Sequence, residues 1–301
     1  MKFRKDFSLT AICLLAALLT WLGCSGPAPE SGGGGEPKST TTTGRVAPWL
    51  ENLGNFHRSV STNSPDAQHF FDQGLTLCYA FNHQESVRSF QEAARLDPNC
   101  AMAYWGQALA LGPNINDPKP DAEREQQAHE AIQKAIGLKS GANETEKELI
   151  EALAARFSAG KGKDRKELNQ AYAKAMAAVY ENFPDDPDVG VLYADAVMNT
   201  MPWEYWTKDG KPRPGTKRLI AALESVKKRF PDHPGAHHFY IHAVEASSNP
   251  DLAVASADKL GGLVPAAGHL IHMPSHIYIR VGRYADATEA NRRAIAADED
   301  Y

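Results

Sequence analysis

From Ser64 onward, apolar residues recur at three- and four-residue spacings and nowhere settle into the alternation of a strand. The pattern predicts helix almost throughout. The first helix opens at Ser64-Pro65, a capping serine followed by a proline in the first turn, and runs to a break at Asn82-His83. A second runs from Gln84 to Asp97-Pro98. Further helices are expected over Ala101–Leu111, Ala122–Gly137, Thr145–Phe157 and 161–183, then over Asp188–Thr200, Thr216–Phe230, Ala236–Ala246 and Asp251–Lys259, with a final pair after Gly268. Prolines and glycines mark the breaks between them. Two loops, 112–118 and 201–206, are rich in Asn, Trp and Pro. They either wall a binding face or cover gaps between irregular repeats.

The spacing carries a family resemblance. Phe70, Gly74, Leu77, Phe90, Ala93 and Pro98 stand where a tetratricopeptide repeat has its small and large packing residues and its closing proline. Counted from Gly268, the residues Ser275, Tyr278, Tyr284, Ala287 and Ala294 match again, with Gly282-Arg283-Tyr284 as the turn. The chain over about 64 to 301 therefore resembles tetratricopeptide repeat proteins. That resemblance implies an all-α, right-handed α-solenoid of about six helical hairpins, with a concave groove lined by the first helix of each pair. It further implies that a protein, a peptide or a small ligand binds in that groove. The lining positions would be His269, His272, Met273 and His276 in the last repeat, and His238, Ile241, His242 and Glu245 before it. Asp195 would fall one repeat earlier. Trp105 also takes a groove position, and Trp203 and Glu204 would wall the groove near the histidines. His237 falls off the face and is expected at the surface.

Six of the eleven histidines lie between Gly235 and Tyr284. His238 and His242 are four apart, as are His272 and His276, and His269 precedes His272 by three. Residues so spaced share one face of a helix. An imidazole pair one helical turn apart suits a transition metal. His238, His242, His272 and His276 are the candidate ligands, for zinc first and copper, iron or nickel otherwise. Glu245 or Asp195 would add a hard oxygen ligand, accept a hydrogen bond from a ligating imidazole, or act as a base on metal-bound water. Against this stands the plainer reading that each ring is satisfied by its own hydrogen bonds in a packed interior. Pro274, in the run HMPSH, either bends a helix between two ligands or begins one with His272 in the preceding loop.

The N-terminus changes the setting. Lys2, Arg4 and Lys5 precede the apolar run FSLTAICLLAALLTWLG, and Leu22-Gly23-Cys24 resembles the lipobox of bacterial lipoproteins. The resemblance implies a signal peptide over 1–23, lipidation of Cys24 and membrane attachment in the cell envelope, on the periplasmic or the outer surface. Residues 24–46, rich in Gly, Ser, Thr and Pro, read as a flexible tether ahead of a helical domain from 47. Cys78 and Cys100 are expected as free, buried thiols, because their helices place them too far apart to pair. Over the whole chain, 43% hydrophobic and 23% charged content is ordinary for a folded protein, and a net charge of −5 argues against a nucleic-acid partner. The chain stops where a further repeat would start, so a fragment of a longer protein is expected. Two functions follow. One is an exported scaffold with a histidine-rich, metal-holding groove. The other is a metal-dependent, hydrolase-like enzyme on the same frame.

Overall fold

The computed structural model describes residues 44–157 and 164–300. The leader, Cys24 and all but the last three residues of the tether lie outside them. The tether ends sooner than expected, since the Val46 amide already donates to Glu92 at 2.9 Å.

The described residues form thirteen α-helices, two short 3-10 turns and a single isolated β-bridge between Trp206 and Pro212. Six antiparallel pairs follow one another. They are α1 (Pro65–Tyr79) with α2 (His83–Leu96), α3 (Ala101–Leu111) with α4 (Ala122–Leu138), and α5 (Glu144–Ala154) with α6 (Arg165–Asn182). Then come α7 (Pro187–Met198) with α8 (Thr216–Arg229), α9 (Pro234–Val244) with α10 (Val254–Leu260), and α11 (Gly268–His272) continuing into α12 (Pro274–Arg280) against α13 (Tyr284–Glu299). This is the expected all-α solenoid of six hairpins. Its helix starts are chemically specified. Ser64 accepts from the Ala67 amide at 3.2 Å, and Asn143 and Glu146 satisfy each other's backbone amides as a capping box. Gly74 and Gly106 let α1 and α3 close on the Phe90 ring, where an added Cβ would come within 2.9 Å of its carbons.

Pro274 begins α12, but His272 before it is the last residue of α11 and does not lie in a loop. Met273 keeps right-handed helical angles, and its amide donates to the His269 carbonyl at 3.0 Å. His272 is therefore helical and keeps its face.

The stack also closes on itself. The end of α1 packs against α7 and α9, far along the chain. The Tyr79 hydroxyl donates to Asp188 at 2.6 Å, His233 Nε2 donates to the same oxygen at 3.2 Å, and Arg58 donates to Asp188 and Asp186 at 3.0 and 2.8 Å. Burial pushes the Asp188 carboxyl up, but the Arg58 charge and the hydrogen bonds from His233 and Tyr79 outweigh it and hold the carboxyl well below the usual carboxylate range. Gly235 of α9 makes the contact possible, since a Cβ there would lie 2.8 Å from the Tyr79 ring. The turn after α1 thus fills the inner face of the fifth and sixth hairpins.

Candidate metal centre

The five groove histidines converge. α9 carries His238 and His242, and α11 and α12 carry His269, His272 and His276 opposite them. His238 Nε2 lies 3.1 Å from His269 Nε2, and His272 Nε2 lies 2.9 Å from His276 Nε2. The nitrogens of His238, His242 and His269 fall within 4.8 Å of one another. His238 and His242 are buried; the other three are half-buried.

The outward nitrogens are each assigned. His238 Nδ1 donates to the Tyr79 carbonyl at 2.6 Å. His242 Nδ1 and His276 Nδ1 donate to the two oxygens of Glu245 at 3.0 and 2.7 Å. His272 Nδ1 donates to Asn291 Oδ1 at 2.6 Å. A neutral imidazole with its proton on Nδ1 presents a lone pair on Nε2. Four of the five rings therefore aim unprotonated Nε2 atoms inward, and that of His242 is buried with no hydrogen-bond partner. Outer hydrogen bonds that fix the tautomer this way are what metal-ligating histidines carry.

Burial and mutual crowding keep His238, His242 and His269 neutral. Burial lowers the pKa of His238 and His242, and it takes His269 down to about 3, each helped by the neighbouring imidazoles. Burial acts against the Glu245 carboxyl, but the two imidazole donors outweigh it and hold the carboxyl at about 2. Glu245 is thus an ionised orienting group for two rings at once. Both of its oxygens are taken by imidazole donors, so here it orients the two rings.

The other predicted residues fall out differently. His269, expected as groove lining, stands directly opposite His238 as its partner. Asp195, expected beside the histidines, accepts from Asn199 at 2.9 Å and faces a separate cavity of about 20 Å³ with Arg156, Cys78 and His83. Burial pushes its carboxyl up to about 6. Trp105 lines no groove. It is fully buried and donates to the Leu149 carbonyl at 3.1 Å, because the third and fifth helices close over it. Trp203 does wall the site, edge-on to His242 at 5.1 Å, while its indole donates to the Ile115 carbonyl at 2.8 Å. That bond ties the two irregular loops together. Glu204 points to solvent beside Arg213, 3.6 Å away. His237 is turned off the groove as expected, but it is buried, with Nε2 donating to the Pro231 carbonyl at 2.8 Å. Cys78 and Cys100 are free and buried.

Phe81, which no pattern singled out, sits at the middle. Its ring meets His238 at 4.5 Å, His269 at 5.3 Å and His242 at 5.8 Å, and on its other side His83 at 5.5 Å. Both His83 nitrogens are buried without a hydrogen-bond partner. Phe81 and Trp203 hold φ at 58° and 63°, left-handed values that cost a bulky residue about 1–3 kcal/mol each. Two of the three such non-glycine residues among those described therefore flank one site. Beside it opens a cavity of about 780 Å³, reached past His269, His272, Asn82, Asn116 and Asn291.

No family model matches the sequence, and no curated protein matches it. Among solved structures the chain is similar to MamA from AMB-1, at 15% identity and a TM-score of 0.40 over 67% of this chain and 93% of that one. It is also similar to residues 41 to the end of MamA from Desulfovibrio magneticus RS-1, at 11% identity and a TM-score of 0.36 over 79% and 98%.

Proposed function

We propose that this chain is a helical-repeat protein that holds transition-metal ions in its histidine centre and presents them to a small ligand, or to a side chain of a peptide or protein partner, entering by the adjoining cavity. One observation carries the reading: His276 Nδ1 is committed to a carboxylate and His272 Nδ1 to an amide oxygen, yet their Nε2 atoms stand 2.9 Å apart. Two facing lone pairs at that distance repel unless a positive charge lies between them. Two nitrogens about 2.0–2.1 Å from one ion sit about 2.9 Å apart at a right angle and about 3.4 Å apart at the tetrahedral angle. The 2.9 Å separation of His272 and His276 matches two nitrogens on one ion, and the 3.1 Å separation of His238 and His269 fits either a shared ion or a single N–H···N bond.

The donor set narrows the metal. Neutral imidazoles suit zinc, copper, nickel, cobalt or iron in preference to calcium or magnesium, which take oxygen. Zinc remains the first choice. The enzyme alternative loses Asp195, which faces a separate cavity, and keeps Glu245 as its candidate base. Lipidation at Cys24 and residence in the cell envelope belong to the same proposal, supported by the basic, apolar and cysteine-ended N-terminus. Radiolabelled palmitate incorporation into the parent and not into Cys24→Ser tests that part.

The metal itself is tested on the full chain, purified without an affinity tag that binds metal. Bound metal measured by mass spectrometry is expected in the parent and lost in His238→Ala/His242→Ala. A parent that stays metal-free after incubation with zinc, copper and nickel sinks the reading.

A further inference from the structure

The five histidines do not form one shell. His238, His242 and His269 bring one nitrogen each within 4.8 Å of one another, and His242, Glu245 and His276 form a second such group; His272 enters neither, and its Nε2 lies 2.9 Å from that of His276. All donors of a single ion lie within about 4.2 Å of one another, twice the metal–nitrogen distance. The outer hydrogen bonds divide in the same way. The Tyr79 carbonyl serves only His238, and Asn291 only His272. Glu245 alone spans both sets, one oxygen to His242 and the other to His276.

Resting on the metal reading above, we infer that the centre holds two ions of unequal exchange. The inner ion takes three imidazoles, from His238, His242 and His269. The outer ion takes two, from His272 and His276, and completes its shell from the cavity side with water or a donor atom of the incoming ligand. The inner set is the more deeply buried, and Phe81 packs against all three of its rings. The outer set is half-buried in both its rings; His272 and Asn291 line the cavity of about 780 Å³, as does His269 at the edge of the inner set. Three fixed donors, two of them fully buried, hold an ion more firmly than two half-buried ones. The inner ion is therefore resident and the outer one exchangeable. The cavity lining includes Asn82, Asn116 and Asn291 and no lysine or arginine. Asp298 adds a carboxylate to the lining, so an oxygen-bearing ligand there would be a neutral one, held by the outer ion and by amides.

The test is a zinc titration of the metal-stripped full chain against a chromogenic chelator, with bound metal counted after gel filtration. Two equivalents are expected, in phases at least tenfold apart. His272→Ala/His276→Ala should lose only the weaker phase, and Asn291→Ala should weaken only that phase. His238→Gln should lose the tighter one. Glu245→Gln should weaken both. One equivalent in the parent, abolished alike by the His272/His276 pair and by His238→Gln, would overturn the two-ion arrangement and leave the metal reading standing. No bound zinc at all would overturn both. Circular dichroism of each variant checks the fold, and the half-buried His272/His276 pair decides the question even if His238→Gln unfolds.

Discussion

Replacing Asp188 with Asn tests whether the first hairpin is locked onto the later ones as the structure has it. The side chain is buried and accepts three hydrogen bonds, from Tyr79, His233 and Arg58. An asparagine of the same shape keeps one carbonyl oxygen for Tyr79 and His233 but turns an amide donor toward the Arg58 guanidinium. Arg58 is itself buried, and Asp186 remains its second partner at 2.8 Å. Breaking a buried pair by removing one member costs about 3–5 kcal/mol. With Asp186 still in place the lower end applies, about 3 kcal/mol. For a domain of this size that is a fall in Tm of roughly 6–12 °C. Urea unfolding followed by circular dichroism at pH 7 measures it. The acid limb supplies a second readout. The folded carboxyl is held below its ordinary value of about 3.9, so its contribution is present above that pH and is lost as the pH falls through it. The gap between parent and variant should therefore narrow below about pH 4. A loss under about 1 kcal/mol at pH 7, or a gap unchanged down to pH 2.5, would show that the ion pair does not lock the hairpins.

Other outcomes follow from the same geometry. Glu245→Gln leaves one imidazole facing an amide donor, so metal affinity should fall by about 10–100-fold in a chelator competition, and an unchanged affinity would remove its orienting role. Gly235→Ala drives a methyl into the Tyr79 ring and should cost about 1–3 kcal/mol in urea unfolding, despite the better helix propensity of alanine. Burial takes His83 and His237 down to about 4, so both are neutral in the fold. The unfolded chain binds protons that the folded one refuses below about pH 6.5, and stability should fall as pH drops from there toward 4. A thermal midpoint that stays flat across that window would show both rings to be protonated in place.

The chain's own pattern was enough for the helices, because helix is a local decision. Three- and four-residue apolar spacing, a serine and a proline at residues 64 and 65, Asn143 set three residues before Glu146, and the Gly282 turn all act within one or two turns of backbone. The same locality made His238 with His242 and His272 with His276 legible as pairs on a face, and Glu245 as their neighbour. It left out what those faces would meet. Tyr79 and His238 are 159 residues apart, and Arg58 and Asp188 are 130 apart. Nothing in the spacing of either foretells that the first hairpin swings round to supply a carbonyl to an imidazole in the fifth. Phe81 reaches the site by the same closure, Asn291 comes from α13 within the hairpin that carries His272, and Asp195 and Trp105 are turned away from it by helix packing. Local periodicity specified which side chains were offered. Long-range packing, which no short window of sequence contains, decided that five imidazoles share one hollow and what each of them is bonded to.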